Sequence, residues 1–447
     1  MNRTSNIASR NWRRKSVSPP AQAVGSCARQ RRTSEGRVEA AKYGRNQEHF
    51  MSVSSYRRTV SECRPLVDAA TKEIFRNNAF RITGLPVDAT AGEISRRADK
   101  LKVMEDLGAG HSLHKSPFSL RPPPTVDQIR DAIQRLQDPE KRMIDEFFWF
   151  WPEEFGRSRM DPAIQALLSG DCDTASKIWT LRESSHSSGT VATHNIAIFW
   201  HFTALEREHY TTSADSGEAQ EVIAEAHWRN AIKRWRYLLG DKALWDVLDA
   251  RIRQLNEPRL SKEFGTRMRS AMPLALAKIH GQIALTYVER RRVDLARIQV
   301  DLLKQLAPKA EVVEMAADLV LDTAKRRLKS HSQNVKDEAA RSPERAATLA
   351  RTLIAPTLLL FEVIDLFFGD AEYFGKDLLN ETLTVCVECA VTYQRKTGDN
   401  DAFVDLLERL RPLSDNIELT ARISENLRIG KKNLEIELEK KGRASNA

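Results

Sequence analysis

Two cysteines separated by two residues, Cys386 and Cys389, have a spacing that serves either thiol redox chemistry or half of a zinc site. A redox pair needs a helix start after a strand to lower its thiol pKa, and a zinc site needs further ligands. Here both cysteines lie inside the apolar helical segment 378–393, and the sequence holds no second such pair. The spacing therefore predicts buried, unreactive thiols.

Three histidines, His194, His201 and His209, are the next candidates, as metal ligands. Seven residues put the first two on one helical face, but no carboxylate completes a ligand set such as H-E-x-x-H. We therefore interpret them as packing or hydrogen-bonding residues. Glycine-rich phosphate loops and a G-x-S-x-G nucleophile elbow are also missing from the sequence. No catalytic residue, cofactor or metal site is predicted.

The positive charge is concentrated at the N-terminus. The 447 residues include 70 basic residues (Lys and Arg) and 61 acidic residues (Asp and Glu). Residues 1–50 contain 11 of the basic and 3 of the acidic residues, so the rest of the chain has 59 basic and 58 acidic residues and is almost neutral. We predict a disordered basic tail over residues 1–55. If the protein binds nucleic acid or another anionic surface, we expect the tail alone to make the contact. Met51 is an alternative start of the protein, which a tryptic peptide from residues 16–45 in a cell extract would exclude.

After the tail, the sequence predicts an all-α protein. Strand-like alternation is almost absent, whereas capping boxes mark helix starts at Thr90 and Thr125. We expect roughly a dozen helices. They fall into a small module over 56–155, a helical array over 156–412, and a charged C-terminal helix and tail over 413–447.

Two features concern location. Few cysteines and no apolar stretch behind the N-terminal arginines predict a reducing, cytoplasmic compartment. The longest apolar run, 353–368, contains Pro356, Glu362 and Asp365. We interpret it as a buried helix and predict no membrane span.

Apolar residues recur at helical spacing over 91–107 and again over 126–137. The surrounding sequence resembles a J domain, the DnaJ-type co-chaperone module. The resemblance rests on the run from Phe80 to Ile94 (FRITGLPVDATAGEI) and on the run from Ala132 to Asp145, which ends in Arg-x-x-Asp.

The J-domain resemblance implies binding to an Hsp70 chaperone. In that family the basic face of the second helix meets an acidic Hsp70 surface, and here that helix carries Arg96, Arg97 and Lys100. The alternative interpretation is a solvated helix face. J domains stimulate the Hsp70 ATPase through a His-Pro-Asp tripeptide. The corresponding loop has His111 and His114, neither followed by Pro-Asp, so we expect no stimulation.

Five consecutive aromatic residues, Phe147 to Trp151, close the module. A single helix or strand cannot bury all of them on one side, so we expect packing between the module and the array. The alternative is an exposed partner groove, because aromatic residues dominate interface hot spots. In that case Phe148, Trp149 and Trp151 are the partner-binding residues.

The array resembles tetratricopeptide repeats. Gly-Asp turns recur at 170–171, 240–241, 369–370 and 398–399, although the full 34-residue signature does not repeat. The resemblance implies an α-solenoid with a concave, protein-binding surface.

Together these features favour a non-enzymatic, co-chaperone-like scaffold whose partners are proteins, an Hsp70 chaperone among them. Two alternatives remain open. One is a regulator that binds nucleic acid or an anionic surface through its basic tail. The other is an enzyme with an unrecognised helical active site.

Overall fold

The computed structural model describes residues 58, 61–106, 118, 120–185, 189–210, 218–307, 309–369 and 375–445. The predicted tail over 1–55 and the loop histidines His111 and His114 lie outside the described residues, so anion binding by the tail stays a prediction.

The described part of the chain is all-α, without strands, which confirms the predicted fold class. It contains seventeen α-helices: α1 Arg64–Ala69, α2 Ala79–Thr83, α3 Ala91–Asp106, α4 Val126–Gln137, α5 Pro139–Phe147, α6 Pro162–Leu168, α7 Cys172–Glu183, α8 Gly189–Tyr210, α9 Glu218–Gly240, α10 Lys242–Leu255, α11 Phe264–Glu289, α12 Val293–Leu306, α13 Ala310–Arg341, α14 Ala346–Phe368, α15 Gly375–Thr397, α16 Asn400–Leu410 and α17 Ile417–Ser445. Three of them, α1, α2 and α6, have only five to seven residues, which is too few to show a periodic apolar stripe. Such short helices are one reason why the structure has more helices than the dozen expected from the sequence.

The predicted capping boxes are present. The Thr125 hydroxyl accepts the Gln128 N–H, and the Gln128 side chain accepts the Thr125 N–H at 2.8 Å. Thr90 and Glu93 form the same reciprocal pair at the start of α3. Each box satisfies two amides that the first helical turn leaves without partners.

Three of the Gly-Asp turns, at 170–171, 240–241 and 398–399, join successive helices, and Asp370 of the fourth lies outside the described residues. Gly170 and Gly398 have φ of 85° and 71°, a left-handed conformation that glycine adopts without strain. The aspartates that follow, Asp171 and Asp399, each accept a backbone N–H at 3.0 Å and so cap the next helix. The turn at 240–241 uses the same aspartate cap.

The turn after α11 places a residue with a side chain in the left-handed region. Arg291 has φ of 62°; its N–H donates to Val288, and the Arg292 N–H donates to Tyr287, as in a Schellman cap. We expect Arg291→Gly to raise the free energy of unfolding by about 1 kcal/mol, because it removes the Cβ strain. Urea denaturation measures this change. Arg290→Gly, at a negative φ, should give no gain, and equal gains in both variants would contradict the explanation.

Two hydrophobic cores share α11. The first extends from Cys63 to Leu306 and therefore continues across the predicted boundary at 155/156. The second contains the later helices, up to Leu427 in α17. Consecutive helices pack together along much of the chain: α6 with α7, α7 with α8, α8 with α9, α11 with α12, α13 with α14, α14 with α15, α15 with α16, and α16 with α17.

One stretch of the described chain, Pro343–Phe368, is long and apolar enough to cross a membrane. Its helix, α14, packs against α13 and α15 and contributes Leu353, Val363 and Phe367 to the second core. The most apolar window of this stretch is 44% buried, so α14 buries one face in the core and agrees only in part with the buried helix that the sequence predicts.

Candidate functional site

The basic face of α3 is the first element of the candidate site. Ile94 and Leu101 turn inward and pack against the apolar face of α4. This packing leaves Arg96 and Lys100, one turn apart, exposed on the opposite face. Neither forms an ion pair with any residue that the structure describes, and the exposed Val103 continues the same face.

Arg97 does not belong to that face. It is partly buried, and its Nη2 donates a hydrogen bond to the Thr83 carbonyl at the end of α2. Burial lowers the pKa of its guanidinium. Arg97 therefore holds α3 against α2, and its charge is not presented to a partner, in contrast to the prediction from the sequence.

The aromatic segment is packed inside the chain. Phe148 and Trp151 are fully buried and Trp149 nearly so. The Trp151 ring stacks on His194, with centroids 4.1 Å apart, and its Nε1 donates to the Glu146 carbonyl at 2.7 Å. These side chains face their own chain, so the predicted packing between the module and the array is what the structure contains. Phe148 and Trp151 offer no surface to a partner.

Two asparagines hold the segment in place. The Trp151 N–H donates to Asn195 Oδ1 at 2.8 Å, and Asn195 Nδ2 donates to the Trp151 carbonyl at 2.7 Å. Asn78 Nδ2 donates to the carbonyls of Asp145 and Phe148. Both amides are buried, so they supply the hydrogen bonds that this irregular backbone needs away from water.

A buried ion network joins α5 to α10. Arg251 Nε lies 2.6 Å from Glu146 Oε1, and Arg142 Nε lies 3.8 Å from Glu146 Oε2. The arginines also donate to the carbonyls of Val87 and Ala89. Burial raises the pKa of the Glu146 carboxyl, and Arg251 and then Arg142 oppose that rise. The network links residues 105 positions apart, a pairing for which the sequence has no local signal.

A second long-range arginine contact involves Arg81. Its Nη1 lies 2.7 Å from Glu206 Oε1, and its guanidinium lies over the Phe202 ring at 4.8 Å. Arg81 is buried, so the ion pair and the ring contact both stabilise its charge. Like the Arg251–Glu146 pair, the Arg81–Glu206 pair joins residues of the predicted module over 56–155 to the helices α8–α10.

Two of the three histidines of α8, His194 and His201, lie in the core, whereas His209 near its end is exposed and lies 3.9 Å from Glu73. His194 Nε2 is 2.8 Å from the Phe147 carbonyl, and His201 Nδ1 accepts the Trp235 Nε1–H at 3.2 Å. No group of three or more potential metal ligands occurs among the described residues. Burial lowers the pKa of His194 to about 4 and that of His201 well below its ordinary value. Both rings are neutral packing and hydrogen-bonding groups.

A third buried histidine, His280, gives a pH prediction. Its Nδ1 lies 2.8 Å from Gln299 Oε1, and burial lowers its pKa from 6.5 to about 4. The unfolded chain therefore binds more protons between these values, so stability falls as the pH drops from about 6.5 towards 4. We expect this one group to reduce the free energy of unfolding by about 2 kcal/mol between pH 7 and pH 5.

His280→Asn should remove that part of the pH dependence, because asparagine keeps a side-chain N–H for Gln299 but does not titrate. Urea unfolding of both proteins at the two pH values measures the difference. If the variant loses as much stability as the original protein on acidification, the assignment to His280 fails.

The cysteine pair is buried, as predicted. Cys386 and Cys389 are both free thiols within α15. Burial raises the pKa of Cys386 to about 12 and that of Cys389 to about 11. Since the thiolate is the reactive form, neither thiol has the electrostatic setting of a redox centre.

Three cavities on the described surface are candidate binding sites. One of about 170 Å³ lies beside Trp149 and α6. A second of about 200 Å³ lies beside Lys72 and Tyr287. A third, of about 560 Å³ and wide open, lies beside Thr190 and Lys233. The buried histidines, the cysteine pair and Glu146 line none of the three.

Comparison with family models, with curated proteins and with solved structures gives no match to this chain. The resemblances to J domains and to tetratricopeptide repeats therefore depend on the residues quoted above.

Proposed function

We propose that this protein is a non-enzymatic, co-chaperone-like scaffold of the cytoplasm that docks an acidic protein partner on α3, with an Hsp70 chaperone as the favoured partner. The observation that carries the proposal is the exposure of Arg96 and Lys100 on one face of a helix that α4 and Arg97 hold in place. Two cations without ion pairs in the described chain are available to an acidic surface. Such charge pairs raise association rates and select partners.

Docking without activation is the expected mode. The sequence has no His-Pro-Asp tripeptide after α3, and that tripeptide is what the J-domain family uses to stimulate ATP hydrolysis. The chain would therefore hold an Hsp70 chaperone near a client or second partner bound to the array. Successive helix pairs from α6 onward support that second role, because stacked pairs create long binding surfaces.

The positions of the strongly perturbed groups favour a binding protein over an enzyme. Burial raises the pKa of Asp145 to about 7 and lowers those of His194 and His280 to about 4. Enzymes place such groups in clefts that admit a substrate. Here all three lie in the packed core and line none of the three cavities.

The test measures binding of the full chain to a purified Hsp70 chaperone by biolayer interferometry, alongside the chaperone's ATPase rate. We expect Arg96→Glu/Lys100→Glu to weaken binding by about tenfold or more. Arg97 is left unchanged, because its reversal would also break the contact with Thr83. The matched control, Arg422→Glu/Lys432→Glu, makes the same charge change at exposed positions of α17 and should bind normally.

Absence of binding, or equal loss in the two double variants, would contradict docking on α3. An increased ATPase rate in the presence of the original protein would contradict docking without activation.

A further inference from the structure

The cavity of about 170 Å³ beside Trp149 is an apolar pocket between α6 and the turn that follows α2, residues 84–87. Val87, Phe150 and Leu167 form part of its walls. Pockets for whole small molecules usually enclose several hundred Å³. This one has the size of a single bulky side chain, which makes it a candidate anchor point rather than a cofactor site.

Ser158 belongs to the wall of the pocket. It is only 4% exposed, and its backbone N–H donates to Asp88 at 3.0 Å. This part of the wall is therefore held in position by a contact within the chain.

Exposed apolar and basic side chains surround the mouth of the pocket. Leu168 lines the mouth yet is 55% exposed, and the nearby Met160 is also exposed. Arg159 lies at the rim, with Nη2 3.1 Å from Glu93 Oε1 on α3. Glu93 precedes Arg96 by one helical turn, so the rim continues into the basic face of α3. The pocket holds only one side chain, but apolar and basic surface continues outside it. A polypeptide can cover both, so it fits this surface better than a small molecule does.

We propose that this pocket anchors a polypeptide partner in which a bulky apolar residue is flanked by acidic residues. The apolar side chain enters the cavity, and the acidic residues contact Arg159 and Arg96. The proposal rests on the proposed function for the location of the partner surface, but it does not require that the partner be an Hsp70 chaperone.

The test uses a panel of fluorescein-labelled, end-blocked peptides, Gly-Ser-Asp-Asp-X-Asp-Asp-Ser-Gly, with X as Leu, Ile, Met, Phe or Trp. Binding to the full chain is followed by anisotropy. At least one member should bind, and replacing its X by Ala or its Asp residues by Lys should weaken binding by about tenfold or more. Leu168→Glu and Arg159→Glu should each have the same effect.

Two substitutions provide matched controls. Leu181 in α7 is 79% exposed but does not line the pocket, and Arg157 is an exposed neighbour of Arg159 that also lies outside it. Leu181→Glu and Arg157→Glu should bind the peptide normally. The proposal is overturned if no peptide binds, or if Leu168→Glu and Leu181→Glu lose affinity equally.

These outcomes are independent of the Hsp70 assay. If the peptides fail while Arg96→Glu/Lys100→Glu still abolishes Hsp70 binding, the anchor site falls and the proposed function stands. If the peptides bind as expected without any Hsp70 binding, the anchor site stands and the partner is a different acidic protein.

Discussion

Arg251→Met is expected to lower the free energy of unfolding by about 3–5 kcal/mol. Arg251 lies 2.6 Å from Glu146, and both side chains are buried. Methionine has a similar length but no charge, so the Glu146 carboxylate loses its main counter-charge in a place that water does not reach. Urea unfolding at neutral pH measures the loss.

Two further variants separate the buried charge from the loss of an arginine. Arg259→Met breaks an exposed arginine–carboxylate pair, with Glu257, and should leave the stability almost unchanged because water screens the two charges. The double variant Arg251→Met/Glu146→Leu removes both charges and should be more stable than Arg251→Met alone. If the double variant is as unstable as the single one, the unpaired carboxylate is not the cause.

The same pair predicts a pH effect in Arg251→Met. Burial already raises the pKa of Glu146, and removing Arg251 removes the main group that opposes the rise. A raised folded-state pKa means that the folded protein binds more protons than the unfolded one. The penalty of the substitution should therefore shrink as the pH falls and grow as it rises. A penalty that does not depend on pH would contradict this account.

Trp151→Ala should have an effect of similar size, about 3–5 kcal/mol. The indole is fully buried, stacks on His194 and donates a hydrogen bond to the Glu146 carbonyl. Alanine would leave a cavity between the aromatic segment Phe147–Trp151 and α8, and the Glu146 carbonyl would lose its hydrogen bond from the Trp151 indole. The expected result is a large shift in the urea midpoint with an unchanged slope.

Trp200→Ala is the matched control for Trp151→Ala. Trp200 lies on the same helix as His194 but is partly exposed and contacts His227 at the surface side of the first core. It should lose clearly less stability than Trp151→Ala. Equal losses would indicate that tryptophan content, rather than the packing of the segment, sets the effect.

Local features of this chain could be predicted from its sequence. The helix over 126–137 has the bounds that the apolar spacing predicts, and its apolar residues Ile129, Ala132, Ile133 and Leu136 are buried. The capping boxes and the buried thiols also agree with the sequence. These features depend on residues within one or two helical turns of each other, so spacing and side-chain chemistry suffice to specify them.

The candidate site could be predicted only in part. The spacing of Arg96, Arg97 and Lys100 indicated a basic helix, but it did not show which of the three faces solvent. The run of aromatics predicted packing between the module and the array, but its spacing alone did not exclude an exposed partner groove. The pocket beside Trp149 had no sequence signal, because its walls come from residues between Phe80 and Leu168 that are distant in the chain.

By itself, the sequence determined the all-α class, the helix caps, the apolar faces and the position of the basic charge. Only the tertiary structure decided that Arg97 is a packing residue, that Glu146 pairs with Arg251, and that Ser158 lines a pocket. The reason is the range of the interactions. Caps and periodic faces form within a few residues, whereas a charge is buried or exposed according to which distant helix packs over it.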